Sequence, residues 1–268
     1  MKIALSIQYD GSQFCGWQRQ KHGVRTVQQQ LEKSLSKVAD SEISVICAGR
    51  TDTGVHGLAQ IVHMETPVQR DMKAWVYGGN RFLDYDISIS WAKVVPEDFH
   101  ARFSAQARRY RYVICNTPIR PAAMRQYVSW NYRPLDAEAM QEAADHLLGE
   151  HDFSSYRAAG CQAKSANRNI RSLTVRRFGS MVVVDVCANA FLQHMVRNIV
   201  GVLMKIGAGE RAPVWAKEVL EFRDRTKGGV TAPPYGLYFV AVEYPDEYKL
   251  PEQDIDDFLF PLPLGARC

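Results

Sequence analysis

Residues 48 to 57, AGRTDTGVHG, put an arginine, two threonines, an aspartate, a histidine and three glycines in one decapeptide. Three chemistries suit Asp52. As a turn residue it would hydrogen-bond its own backbone beside a glycine that accepts positive φ. As the aspartate of an Asp-Thr-Gly protease signature it would share one proton with a second such carboxylate. As a lone carboxylate beside an arginine it would stay charged and work as a nucleophile or a base. The protease pattern lacks its context: Arg50 and Thr51 stand where an apolar strand end is needed, and no second Asp-Thr-Gly or Asp-Ser-Gly occurs, so two copies would have to pair their Asp52 loops.

Other chemistry finds no purchase. GAGERA at 207 to 212 loosely fits a dinucleotide fingerprint but follows a helical pattern instead of a strand, and no phosphate-binding Gly-x-x-x-x-Gly-Lys-Ser/Thr string occurs. The six cysteines, 15, 47, 115, 161, 187 and 268, form no Cys-x-x-Cys pair, and the seven histidines form no metal-like cluster. Reduced thiols, no metal and no cofactor are the expectation. The opening MKIALSIQYDGS reads as a strand, not a signal peptide. The most apolar helical stretch, 191 to 207, contains His194, Arg197 and Lys205, which disfavours a membrane span. A soluble cytoplasmic protein is expected.

Net charge is only +4, but its distribution is uneven. Between Phe99 and Leu135 there is no Asp or Glu, while Arg102, Arg108, Arg109, Arg111, Arg120, Arg125 and Arg133 alternate with Tyr110, Tyr112, Tyr127, Trp130 and Tyr132. A second acid-free run, Phe153 to Val184, holds Arg157, Lys164, Arg168, Arg171, Arg176 and Arg177. The tail reverses sign with Asp246, Glu247, Glu252, Asp254, Asp256 and Asp257. Basic, aromatic-bearing runs suit phosphate contact combined with base stacking, so a nucleic acid is the indicated partner.

The elements that must position these residues repeat one order. In the first half a strand at 2 to 9 precedes a helix capped by Thr26 with Gln29 and carried by Val27, Leu31, Leu35 and Val38. Strands at 43 to 48 and 58 to 65 flank the decapeptide, and a helix at 71 to 83 and a strand at 87 to 95 follow. The second half runs strand 108 to 114, helix 136 to 149, strands 170 to 177 and 181 to 188, helix 192 to 207, and strand 236 to 244. A helix at 213 to 223, opened by Pro213, is inserted before the last strand. Each half is thus β-α-β-β-α-β. The expectation is an α+β protein of two ferredoxin-like (RRM-like) halves, 1–105 and 106–268, sharing a continuous, mostly antiparallel sheet. Helices on one face would leave the other free for a long ligand.

Several long segments, in order, make the chain resemble the tRNA pseudouridine synthase A family: YDGSQFCGWQRQ at 9 to 20, AGRTDTGVHG at 48 to 57, FHARFSAQARRYRYVI at 99 to 114, NAFLQHMVRNIVG at 189 to 201 and APPYGLYFVAV at 232 to 242. Thr53 departs from the family's usual alanine and creates the protease look-alike. The resemblance implies an isomerase that breaks the uridine N1–C1′ bond and joins C1′ to C5 in the anticodon stem-loop, at tRNA positions 38, 39 and 40, with no cofactor, working as a homodimer. It implies that Asp52 is the catalytic carboxylate, whether by adding to C6, attacking C1′ or taking the C2′ proton. Tyr110 would stack on the target base, Arg197 would pair with Asp52, and Arg50 would take the place of the flipped base. Phe99, His100, Ala101, Arg102 and Phe103, with Arg108, Arg109, Cys161, Gln162, Ala163, Lys164 and Ser165, would contact tRNA. Read from spacing alone, Tyr110 is equally a core strand residue. Arg197 lies off the apolar stripe of Leu192, Met195, Val196, Ile199, Leu203 and Ile206, which suggests a solvated helix face. The rival of another class is a non-catalytic RNA-binding protein with two RRM-like halves. A dimeric aspartic protease ranks third.

Overall fold

The computed structural model describes residues 1–21 and 23–251. Glu252, Asp254, Asp256 and Asp257 of the acidic tail, and Cys268, lie outside the described residues. The chain divides into two compact units, Met1–Gln106 joined by the chain from Tyr238, and Ala107–Leu237. The last strand therefore groups with the first unit, although its place in the chain suggests the second.

In the first unit, β1 (Lys2–Tyr9) lies between β3 (His56–Glu65) and β4 (Ile87–Val95), antiparallel to both, so that Leu5 faces Val62 on one side and Ala92 on the other. The far edge of β3 carries β2 (Ile46–Cys47), antiparallel, and two residues of β10 (Leu237–Glu243), parallel, with Tyr238 opposite His56. The alternation of β1 puts Ile3, Leu5 and Ile7 in a core with Val27, Leu31 and Leu35 of α1 (Val27–Ala39) and with Trp75. Thr26 caps α1 as its sequence suggests, its side chain accepting from the Gln29 amide. The helix foreseen over 71 to 83 contains a π-helical turn, Ala74–Gly78, followed by α2 (Gly79–Phe82).

The opposite face of this unit's sheet is not free. Ala4 and His63, paired across β1 and β3, point away from that core and are buried. The segment after β4 covers them: the Ala101 amide donates to His63 Nδ1 at 3.1 Å, and Phe99 packs against His63, Tyr244 and Tyr248. The residues that follow β4 thus form a second layer on this face.

In the second unit, β5 (Ala107–Asn116) pairs with β9 (Met181–Ala188), β9 with β8 (Asn167–Phe178), and β8 with β7 (Gly149–Asp152), all antiparallel. A short β6 (Ser129–Asn131) runs parallel to the end of β5. The helices are α3 (Ala137–Asp145), α4 (Met195–Gly207) and α5 (Trp215–Phe222). α3 ends sooner than its periodicity suggests because residues 149–152 are taken by the β8 edge. β6 and β7 are too short to show an alternation of their own. Free thiols are found at Cys15, Cys47, Cys115 and Cys161.

Candidate active site

The decapeptide leaves β2 and enters β3 as a loop tied at Ala48, Gly49, Thr51, Asp52 and Val55. The Ala48 amide donates to Ile61 O at 2.8 Å. The Gln60 side chain, fully buried, brackets Gly49, accepting its amide at 3.3 Å and donating to its carbonyl at 2.6 Å. Thr51 O accepts from the Trp17 amide at 3.0 Å, and Thr51 Oγ1 lies 2.9 Å from the Tyr9 hydroxyl. Burial drives the Tyr9 phenol above its ordinary range, so it stays protonated and able to donate. A turn follows in which Val55 N donates to Asp52 O at 3.2 Å, with Gly54 at φ 80°, a value that an L side chain rarely adopts. His56, buried, begins β3 and stacks on Tyr238 at 4.7 Å.

Asp52 is therefore both a turn residue and a presented carboxylate: its backbone closes the turn while its side chain is half-buried between exposed Arg50 and exposed Thr53. The bed under the loop is the 9 to 17 segment. That is the physical reason two motifs distant in the chain appear together. Tyr9, Thr51, His56 and Gln60 were not singled out from sequence. Their signal was the presence of hydrogen-bonding side chains inside motifs whose neighbours are apolar.

The segment Phe99 to Phe103 divides. Phe99 and Ala101 are 0% exposed, so their side chains pack into the core. His100 accepts the Arg102 and Phe103 amides on Nδ1, both at 3.1 Å, and stacks on Phe103 at 4.3 Å. This turn pushes Arg102 and Phe103 outward, and Phe103 is 76% exposed. An exposed aromatic with a guanidinium 5.5 Å from its ring centre offers a base a stacking surface next to a charge.

In the second unit, strand alternation sends Arg109 and Arg111 to one face of β5 and Arg108, Tyr110 and Tyr112 to the other. Arg109 Nε and Arg111 Nε each donate to the buried Asp185 carboxylate, at 2.6 and 3.1 Å. Arg108, 9% exposed, donates to Asn189 O at 2.8 Å. Both arginines expected at tRNA phosphates are thus engaged within their own unit. Tyr110 is buried, edge-on to Phe191 at 4.9 Å. Arg197 does not extend into solvent from α4: it is half-buried, its Nε donates to Ala232 O at 2.8 Å, and its charge bears on the buried Tyr112 phenol. The solvated-face reading of Arg197 is corrected. In the loop before β8, Gln162, Lys164 and Ser165 are exposed, and Cys161 and Ala163 are half-buried.

Asp52 thus sits beside Arg50 on a loop tied down by hydrogen bonds, in an α+β chain with exposed aromatic and basic side chains. The sequence model described as tRNA pseudouridine synthase matches residues 5–104 and 143–245. The chain is 55% identical over 265 residues to tRNA pseudouridine synthase A of Alcanivorax borkumensis, covering 99% of each. Identity to the Pseudomonas aeruginosa protein of that name is 59% over 252 residues, 94% of this chain and 88% of the relative. To the Coxiella burnetii protein it is 54% over 260 residues, covering 97% and 99%. This chain belongs to the tRNA pseudouridine synthase family.

Proposed function

We infer that the chain isomerises uridine to pseudouridine in tRNA, and we propose that its targets are positions 38, 39 and 40 of the anticodon stem-loop. The N1–C1′ bond breaks and a C1′–C5 bond forms, while C5 gives up its proton and N1 regains one. Nothing is oxidised and no group is lost, so side chains alone suffice. The observation that carries the reading is the half-buried Asp52 on a loop whose backbone is tied down on both sides of it. Fixed geometry lowers the reorganisation needed at the reacting carbons.

Within this reading Asp52 is the catalytic carboxylate, Arg197 supplies its counter-charge, Tyr110 stacks on the target base, and Arg50, exposed beside Asp52, fills the space left by the flipped uridine. His100, Arg102 and Phe103, with Cys161, Gln162, Ala163, Lys164 and Ser165, meet the tRNA. Arg108 and Arg109 act at a remove, by shaping β5. Two ferredoxin-like halves, a homodimer and a cytoplasmic location complete the proposal. Support for the first half comes from its strand order β4-β1-β3-β2. Among the described residues no helix is long and apolar enough to cross a membrane.

The test is to incubate the protein with unmodified tRNA transcripts and map pseudouridine, beside Asp52→Asn. That variant keeps shape and should keep tRNA affinity while losing turnover. Product formed by Asp52→Asn would remove Asp52 from the chemistry. Product at other positions would correct the target.

A further inference from the structure

The loop bearing Asp52 is tied before that residue by Tyr9 and Trp17, as described. The tie after it is of a different kind. His56 Nδ1 lies 3.1 Å from the Gly11 amide nitrogen and 3.1 Å from Asp10 Oδ1. An imidazole nitrogen has one in-plane position, holding either a lone pair or a proton, so it serves one of these partners at a time. A neutral ring with bare Nδ1 accepts from the Gly11 N–H; a ring protonated at Nδ1 donates to Asp10. In either state His56 is tied to the same dipeptide, whose turn the Asp10 carboxylate also holds by accepting the Ser12 amide.

The dipeptide is itself fixed. Asp10 N donates to Asp86 O at 2.9 Å, and Asp10 Oδ1 accepts the Ser12 amide at 2.9 Å. Gly11 sits so close to the loop that a Cβ there would lie 1.9 Å from Val55 O. A face of the His56 ring is stacked on Tyr238. The imidazole is thereby held at its Nδ1 edge by the dipeptide and on a face by an aromatic ring, four residues beyond Asp52.

We propose that Asp10 and His56 form a positioning couple for Asp52, locking the exit of its loop against the end of β1 so that the carboxylate keeps one posture toward the reacting uridine. Neither residue needs to touch substrate. The inference rests on the activity proposed above, and its test is built to fail separately from it.

His56→Ala, His56→Asn and Asp10→Ala are compared with the unaltered chain on tRNA transcripts, with melting temperature recorded. Asn places an oxygen near the position of Nδ1 and can accept the Gly11 amide. The couple predicts that His56→Ala and Asp10→Ala lower kcat by about tenfold or more, with KM changing less than about threefold, since a misplaced carboxylate costs the transition state and not tRNA binding. His56→Asn should recover most of the loss. Backbone hydrogen exchange, which needs no activity, should accelerate in Asp10→Ala over residues 49–56 as well as at Ser12, whose amide loses its acceptor, and stay unchanged elsewhere in the first unit. Normal kcat in Asp10→Ala, a rise confined to KM, or unchanged exchange in the loop would each overturn the couple. If His56→Ala does not fold, Asp10→Ala and the exchange measurement decide. If the unaltered chain makes no pseudouridine, the exchange result still judges the couple while the activity reading falls.

Discussion

At the scale of single residues, burial sorts groups of the same type into different chemistry. Cys15 is exposed, whereas burial pushes the Cys47 thiol up to about 12. Iodoacetamide at pH 8 should therefore alkylate Cys15 and spare Cys47 in the folded protein, with Cys47 reacting only in denaturant; peptide mass mapping reads both. The arginines divide in the same way. Arg109 and Arg111 share the Asp185 carboxylate, so Asp185→Asn would leave buried guanidinium charge uncompensated and should cost roughly 3 kcal/mol or more in denaturant unfolding. A loss below about 1 kcal/mol would mean that water reaches these guanidiniums.

At the scale of elements, the first unit depends on segments that its strand and helix pattern does not reveal. Gly11 has no room for a methyl group because the obstacle is backbone, so Gly11→Ala must move the Asp52 loop. It should destabilise by about 2 kcal/mol or more and depress turnover beyond what the lost stability explains; chemical denaturation and single-turnover rates separate the two. On the sheet's opposite face, burial holds the His63 imidazole down at about 4, with His100 and Lys2 adding to the effect. Between pH 6.5 and 4 the unfolded chain binds a proton that the folded chain refuses. Stability is therefore intact above about pH 6.5, falls as pH drops toward 4 and levels below, by an amount on the order of 3 kcal/mol. Urea midpoints measured across that range should shift less in His63→Asn, which retains an acceptor for the Ala101 amide. An equal shift would assign the pH dependence to other groups.

For the molecule as a whole, tRNA affinity should follow exposed charge and not total arginine. Arg102→Ala should reduce the slope of log K against log salt by up to about one. Arg109→Ala, removing a group already held by Asp185, should leave that slope nearly unchanged and lower stability instead. Filter binding over a salt series decides, and equal slope changes would show that Arg109 leaves Asp185 to meet phosphate.

Strand β1, helix α1 with its Thr26 cap, strand β4 and strand β9 are legible in the chain because each is set by local periodicity or a local cap. The Asp52 motif is legible because a tight turn needs particular residue types within a few positions. β6 and β7, the cover over His63 and the early end of α3 depend on which surfaces meet, and periodicity carries no record of a partner far along the chain. The same holds for the site. Sequence determined that Asp52 sits in a glycine-rich turn beside an arginine. Only tertiary structure decided that Tyr9, Trp17 and the Asp10–His56 contact hold that turn, that Phe99 and Ala101 face the core, and that Arg109 answers to Asp185. Each of those outcomes turns on distances across tens of residues, which folding alone sets.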